Sequence, residues 1–104
     1  MTISQATLVR PLPNRLDDFI ARLQTAKSIF EKNGATVHFY RTVAGSDPNA
    51  VLVTSTVKDW DAWAKAAKKT EGNADYQKFE RESANDPAGE ILSSGILEEF
   101  ELSS

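Results

Sequence analysis

His38 is the single histidine of the sequence, and Tyr40 follows it two positions later. An imidazole can take up or pass on a proton near neutral pH, and a phenol can hydrogen-bond to a phenolic or quinone-like substrate. Because alternate residues of a strand face the same side of a sheet, both side chains would act on one face, beside Thr54. His38 and Tyr40 are therefore the candidate catalytic residues. A structural role is the alternative for both, since no acid in the strand is placed to orient His38.

Arg10, Trp60 and Trp63 are three further side chains that could contact a ligand. Arg10 lies in the first predicted strand and is the candidate for binding an anionic group near a cavity. The two tryptophans are three positions apart, a spacing that places them on one face of a helix. Packing of that helix on a sheet is sufficient to explain both indoles without a ligand.

Several common kinds of site are excluded or disfavoured by the residue types present. The sequence has no cysteine, which excludes disulfides, thiolate metal sites and cysteine nucleophiles. One histidine with dispersed carboxylates does not predict a metal site. Ser93-Ser94-Gly95 lacks the strand-to-helix turn of a hydrolase nucleophile, and there is no glycine-rich phosphate loop. We therefore expect neither a metal nor another cofactor.

The length and composition predict a single globular domain spanning 1–104, with 40% apolar and 26% charged residues. The net charge is −3 and the basic residues are scattered, so neither a nucleic-acid partner nor a membrane surface is expected. No apolar run approaches the roughly 20 residues of a membrane-spanning helix. The N-terminal residues lack the pattern of a signal peptide. A cytoplasmic location fits these features best.

The segment 34–57 contains the residues around which the predicted sheet is arranged. Two β-rich runs flank the loop GSDPN, whose residue types favour turns. Pairing of Ala44 with Ala50 across this loop would produce an antiparallel hairpin. The further cross-strand pairs would be Val43–Val51, Arg41–Val53, Phe39–Ser55 and Val37–Val57.

The two faces of this hairpin differ in polarity. One face is mostly branched and aromatic apolar. The other face is uncharged and half-polar, and it carries Thr36, His38, Tyr40, Thr42, Leu52, Thr54 and Thr56. Neither face suits free exposure to water, so we expect both to be covered.

Helical segments are predicted before and after the hairpin. The first begins after an N-cap at Asn14 and ends at Asn33-Gly34. Its apolar residues recur every three or four positions, at Leu16, Phe19, Ile20, Leu23, Ala26 and Phe30. The second begins after an N-cap at Asp59, is interrupted near Gly72 and continues after a further cap at Asn73.

Two further strands complete the predicted sheet. The first spans Ala6–Leu12, and the last spans Glu90–Leu102 after a turn cluster at 85–89. Ser93–Gly95 weaken the middle of the last strand and indicate a bulge there. A strand of this length is unusual in a small domain, which suggests that part of it pairs outside its own sheet.

The element order is strand, helix, strand, strand, helix, strand, which is the α+β ferredoxin-like arrangement of a four-stranded antiparallel sheet with both helices on one face. The helices would cover the apolar face, which carries Val37, Phe39, Val43, Val51 and Val53. A second copy of the chain would cover the other face and close the two sheets into a barrel. We therefore expect a homodimer formed through the sheet face, with isologous two-fold symmetry.

The element order, the uncharged second face, the segment VKDWDAW and the long closing strand resemble the dimeric α/β-barrel superfamily. Within it the chain is most similar to small antibiotic-biosynthesis-monooxygenase-like and NIPSNAP-like proteins. The resemblance covers Ala6 to Leu102 and is architectural. It implies a homodimer with pockets between sheet and helices. Members of the superfamily include cofactor-free oxygenases, haem-degrading enzymes, isomerases and proteins without known activity.

The resemblance also implies a role for the tryptophans, because haem-degrading relatives place one near the start of this helix beside the flat ligand. Either Trp60 or Trp63 matches that position. Those relatives also have a histidine later in the same helix and an asparagine on the first strand. Here the helix has no histidine, and Ala6–Leu12 contains no asparagine, Asn14 lying beyond it. Haem degradation is therefore disfavoured.

Two functional interpretations follow. The first is a cofactor-independent monooxygenase-like or isomerase-like enzyme that holds a small apolar or aromatic molecule between the sheet and the tryptophan-bearing helix. The second is a non-catalytic ligand-binding or structural dimer of the same fold. An enzyme should enclose a pocket of about a few hundred cubic ångströms with converging polar groups. The candidate ligand-binding residues in either case are Trp60, Trp63, Thr54 and Arg10.

Overall fold

The computed structural model describes residues 1–102 of the chain. Its elements are β1 (Ile3–Pro11), α1 (Leu16–Lys32), β2 (Thr36–Arg41), β3 (Val51–Val57), α2 (Trp60–Glu71), α3 (Ala74–Asn85) and β4 (Gly89–Glu98). The strands form one antiparallel sheet in the order β2-β3-β1-β4. This confirms the predicted ferredoxin-like fold, with the second helical segment divided into α2 and α3. Within residues 1–102, no helix is both long enough and apolar enough to cross a membrane.

Two predicted N-caps divide the second helical segment. The carboxylate of Asp59 accepts a hydrogen bond from the backbone N–H of Ala62 at 2.8 Å, and α2 begins there. The side-chain oxygen of Asn73 accepts one from the backbone N–H of Tyr76 at 2.9 Å, and α3 begins there. Each cap satisfies a donor that the first helical turn leaves free. Both boundaries are confirmed.

The predicted N-cap of α1 at Asn14 is wrong. Asn14 has a φ of 62°, in the left-handed region, and belongs to a turn in which the N–H of Arg15 donates to the carbonyl of Leu12 at 3.1 Å. The helix begins two residues later and has no side-chain cap. The Arg15 guanidinium instead donates to Asp18 and to Asp86, each at 2.8 Å. The start of α1 is therefore held by an ion-pair network that reaches the turn before β4.

The predicted hairpin register is wrong by two residues. The observed pairs are Arg41–Val51, Phe39–Val53 and Val37–Ser55. The connection is longer than predicted, because it is closed by a hydrogen bond from the N–H of Thr42 to the carbonyl of Ala50, 2.8 Å long. Within the connection, Asn49 takes a left-handed φ of 67°. Val43 therefore lies in the loop instead of on the apolar face. A shift of two keeps the strand residues on their predicted faces, since side chains alternate with a period of two.

β4 ends at Glu98 instead of at Leu102 as predicted. It pairs with β1 along its length. One extra residue, Leu92, forms a bulge opposite the Leu8–Val9 step, before the predicted site at 93–95. Because β1 is itself nine residues long, this partner accounts for the length of β4, and the described residues form no strand pair outside the sheet.

The core lies between α1 and one face of the sheet. The buried side chains from the sheet are Ile3, Val37 and Val57, and those from α1 are Phe19, Ala26 and Ile29. The predicted stripe of α1 is only partly buried, since Leu16 and Ile20 are exposed. The opposite face of the sheet is covered by no helix. The core is therefore a single layer of side chains between α1 and the sheet. The smallest dimension of the molecule, 16 Å, agrees with this arrangement.

Gly89 is a point of close contact between β4 and the core. A Cβ built at this position would lie 2.8 Å from Cε1 of Phe19 and 2.9 Å from Cγ1 of Val9. The Phe19 ring is buried, so relief of this contact would require the core to repack. We expect Gly89→Ala to lower the free energy of unfolding by about 1–3 kcal/mol, which urea denaturation followed by circular dichroism would measure.

Gly72, at the end of α2 and away from the uncovered face, is the control position, because a Cβ built there meets only ordinary contacts, the nearest 3.7 Å from the carbonyl oxygen of Lys68. Gly72→Ala should leave the stability unchanged or raise it slightly, by restricting the unfolded chain. Equal losses at both positions would contradict a specific contact between residue 89 and Phe19.

Candidate functional site

A cavity of about 180 Å³ lies between the helix-covered face of the sheet and α2. The sheet supplies Gln5 from β1 and Ser55 and Val57 from β3. Gln5 pairs directly with Ser55, so an amide and a hydroxyl lie next to each other on the cavity floor. The remaining lining comes from the end of α1 and the residues just after it, from one side of α2 and from the first turn of α3.

α2 forms one wall of this cavity. The Asp59 cap sets where the helix begins, and the residues that line the cavity then recur at three- and four-residue steps. They are Trp63, Ala66, Ala67 and Thr70, followed by Glu71 at the end of the helix. The two alanine side chains are too short to fill the gap between helix and sheet, which is why space remains beside the indole.

Two more aromatic rings line the cavity. Phe30 lies near the end of α1 and Tyr76 in the first turn of α3, with ring centroids 6.0 Å apart and planes inclined at 53°. Burial, together with the charge of the neighbouring Glu80, raises the pKa of the Tyr76 phenol. A side-chain hydrogen bond with Glu80 acts in the same direction, so the phenol has an acidic partner beside the cavity.

Asn33 is the buried polar residue at this site, with 8% of its surface exposed. Its side-chain Nδ2 donates to Oγ1 of Thr70 at 3.0 Å, which joins the end of α1 to the end of α2. No lysine, arginine or histidine lines the cavity, and Glu71 is its carboxylate. The site can therefore hold an apolar ring and hydrogen-bond to a polar group on it.

The predicted catalytic residues His38 and Tyr40 lie on the opposite face of the sheet, together with Thr54. Thr54 pairs with His38 on one side and with Ala6 on the other. The rings of His38 and Tyr40 are 6.4 Å apart, and 53% of Tyr40 is exposed. Among residues 1–102, no acid forms an ion pair with the imidazole within 4.0 Å. The three residues lie close together, but outside the cavity.

The two tryptophans have different surroundings. Trp63 lines the cavity, whereas Trp60 does not. The Nε1–H of Trp60 donates to a carboxylate oxygen of Glu98 at 2.5 Å, which connects the start of α2 to the end of β4. The two indoles meet edge to face at 5.9 Å. Trp60 therefore supports Trp63 from the side that is open to solvent.

Arg10 lies at the rim of the sheet face that no helix covers. Its guanidinium donates to the carboxylate of Glu90 on the neighbouring strand at 2.8 Å. This hydrogen bond, with the charge of Glu90, raises the pKa of Arg10 above its ordinary value. An anion would have to compete with Glu90 for the guanidinium.

The structure therefore separates the predicted site residues into two groups on opposite faces of the sheet. Trp63 lines the cavity, while His38, Tyr40, Thr54 and Arg10 belong to the other face. The residues that sequence reasoning missed are Gln5, Phe30, Asn33, Ser55, Glu71 and Tyr76. One signal was present in the sequence, because Trp63, Ala66, Ala67 and Thr70 form a helical stripe of small side chains next to a large one. Among the described residues, no three histidine, aspartate or glutamate side chains come together as a metal site.

Solved structures share this arrangement over nearly the whole chain. An uncharacterized NIPSNAP domain protein from Burkholderia xenovorans superimposes with a TM-score of 0.71 at 15% identity, covering 100% of this chain and 99% of that chain. A protein from Bordetella bronchiseptica, provisionally named an antibiotic biosynthesis monooxygenase, has a TM-score of 0.66 at 16% identity, covering 96% and 98%. One from Chloroflexus aurantiacus J-10-fl, provisionally named in the same way, has 0.62 at 14%, covering 100% and 98%. The chain has the NIPSNAP-like fold.

The NIPSNAP-like fold confirms the resemblance that the element order predicted. Sequence identities of 14–16% with these structures establish the fold and do not transfer an activity. No family model matches the sequence, and no curated protein matches it. A function for the cavity therefore rests on the cavity's own residues.

Proposed function

We propose that the protein is a homodimer that binds a small apolar or aromatic molecule in the cavity between the sheet and α2. The observation that carries this proposal is the cavity lining, in which Phe30, Trp63 and Tyr76 surround a space that alanines leave unfilled. Apolar walls with a few fixed polar groups are typical of small-molecule sites. At about 180 Å³ the cavity is smaller than most such sites, so the ligand would be a single ring or a molecule of similar size.

The dimer is supported by the composition of the face that no helix covers. Its three central rows of paired side chains contain no aspartate, glutamate, lysine or arginine, and charge appears at the rim in the Arg10–Glu90 pair. The residues of these rows are Thr36, Thr56, Ser4 and Leu97; His38, Thr54, Ala6 and Gly95; and Tyr40, Leu52, Leu8 and Ser93. An uncharged face with three leucines and a tyrosine fits burial against a second copy.

The shape of the single chain supports the same proposal. Its accessible surface is 7286 Å², whereas a compact monomer of this mass exposes about 5,800 Å². Its radius of gyration is 14.5 Å, against about 13 Å for a compact chain of this length. A flat molecule with this excess of surface gains more than a spherical one from pairing two sheets face to face.

An enzyme is the second candidate function, as a cofactor-independent monooxygenase-like or isomerase-like protein. Two structures of the same fold carry a monooxygenase name, which favours this candidate. In a dimer formed through the uncovered face, His38 and Tyr40 would be enclosed between the two sheets. Exclusion of water there strengthens electrostatic interactions, which favours acid–base chemistry. They would then act in the barrel interior and not in the α2 cavity. A cytoplasmic location remains part of the proposal and rests on the sequence.

Ligand binding can be tested by filling the cavity. Ala67 lines it, and a phenylalanine at this position would occupy the space beside Trp63. We expect benzyl alcohol, added to ¹⁵N-labelled protein, to shift the indole N–H signal of Trp63 in NMR spectra. We expect Ala67→Phe to weaken this binding at least about tenfold, equivalent to about 1.4 kcal/mol.

The matched control is Ala64→Phe. Ala64 lies on the same helix, is exposed and does not line the cavity. This variant should bind benzyl alcohol as the wild-type protein does. A folded wild-type protein whose Trp63 signal is unmoved by any single-ring compound would contradict the proposed binding function.

A further inference from the structure

We infer that the ligand class of the α2 cavity is a small organic cation, such as an amine or quaternary ammonium group attached to a single ring or a short alkyl chain. This inference rests on the proposed binding function. It goes further by assigning a charge to the ligand, where the aromatic lining by itself would suit a neutral molecule equally well.

Aromatic rings are the first feature that favours a cation. Phe30, Trp63 and Tyr76 all line one small cavity. The face of an aromatic ring carries negative electrostatic potential and attracts ammonium groups, with tryptophan the strongest of the three. The attraction increases when the cation is withdrawn from water.

The formal charge of the lining is the second feature. Glu71 is the ionisable carboxylate of the cavity, and no lysine, arginine or histidine lines it. Among residues 1–102, Glu71 forms no ion pair within 4.0 Å. Within the lining a bound ammonium group would therefore meet one negative charge, the exposed carboxylate of Glu71, and no positive charge, whereas an anionic ligand would be repelled.

The helix ends are the third feature. α1 ends at Lys32 and α2 ends at Glu71. Asn33, directly after α1, and Glu71 line the same cavity, whereas Lys32 does not. The C-terminal end of a helix carries partial negative charge, which stabilises a nearby cation. α3 begins at Ala74 with the opposite polarity. The last turns also carry Lys32 on α1 and Lys68 and Lys69 on α2, so the helix ends add only a small preference for a cation.

The amide of Asn33 supplies a hydrogen-bond acceptor. Its Nδ2 is used in the bond to Thr70, and within the described residues Oδ1 accepts no hydrogen bond. Asn33 is almost wholly buried and lines the cavity. An N–H group of a protonated amine could therefore donate to this oxygen. The cavity holds the volume of about six water molecules, which suits a benzylamine-sized molecule.

Three ligands that share one ring test this inference. Benzylamine is a cation at pH 7, benzyl alcohol is its neutral analogue and benzoate is an anion. We would titrate each into ¹⁵N-labelled protein and follow the two indole N–H signals. Trp63 should respond most strongly, since Trp60 lies outside the cavity. We expect benzylamine to bind about tenfold or more tightly than benzyl alcohol, benzoate to show no binding, and added NaCl to weaken benzylamine alone.

A variant assigns the preference to the carboxylate. Glu71→Gln should weaken benzylamine about tenfold and leave benzyl alcohol unchanged, since it removes the charge and keeps the shape. Glu82→Gln is the matched control, because Glu82 is exposed on α3 and does not line the cavity. It should bind both ligands as the wild-type protein does.

The outcomes separate this inference from the proposed function. Equal affinity of the wild-type protein for benzylamine and benzyl alcohol would overturn the cation preference and leave the binding function standing. Equal weakening of both ligands by Glu71→Gln would also overturn it, because the residue would then act on the shape of the cavity. Absence of binding by all three ligands to folded protein would count against the binding function itself.

Discussion

Light scattering coupled to size-exclusion chromatography should give the wild-type chain twice the 11.4 kDa mass of one copy, and Leu52→Glu should return it to a monomer. Leu52 lies at the centre of the uncovered face, paired with Leu8 on one side and Tyr40 on the other. In a two-fold interface each substitution occurs twice, so two unpaired carboxylates would be buried. We expect the dissociation constant to rise by about 100-fold or more, equivalent to about 3 kcal/mol.

Val43→Glu is the control for this experiment. Val43 lies in the β2–β3 connection outside both faces of the sheet and is 88% exposed. The same change of an apolar residue to a carboxylate should therefore leave the dimer mass unaltered. A wild-type chain that is monomeric at micromolar concentration would contradict the dimer proposal, and with it the barrel in which His38 and Tyr40 would be enclosed.

Phe19→Ala should cause the largest loss of stability among single substitutions in the core. Phe19 is 3% exposed and its ring lies against Gly89, so truncation would leave a cavity between α1 and β4. We expect the free energy of unfolding to fall by about 3–5 kcal/mol. This is a large part of the total stability of a domain of this size, so the variant should be partly unfolded at low urea concentration.

Leu16→Ala is the matched control on the same helix face. Leu16 belongs to the apolar stripe that the sequence pattern predicts, but it is 56% exposed. Its truncation should change the free energy of unfolding by about 1 kcal/mol or less. Both variants should be measured at several protein concentrations, because association would add to the apparent stability. Equal losses would show that the two positions are buried alike in the assembled protein.

Features set by neighbouring residues could be predicted from the sequence. The caps at Asp59 and Asn73 were correct because each depends on a side chain that bonds to the backbone three residues later. The faces of β2 and β3 were also correct, since alternation depends on position along a strand and survives a register shift of two. The helices and strands themselves follow from these local patterns.

Features that need a distant partner were predicted less well. The Asn14 cap failed because Arg15 bonds to Asp86, a residue 71 positions away that no local pattern connects to it. The hairpin register failed because the loop closes between Thr42 and Ala50, with a left-handed residue at Asn49. The end of β4 depends on the length of β1, its single partner in the sheet.

The candidate site shows the same division. The sequence by itself determined the ferredoxin-like order of elements, the uncharged second face of the sheet and the helical stripe that carries Trp63. Only the tertiary structure decided that Trp63 and His38 lie on opposite faces, and that the ends of α1 and α2 meet around Asn33 and Glu71. The reason is physical: which face a side chain occupies follows from the period of its own element, whereas a cavity exists only where separate elements pack and leave space between them.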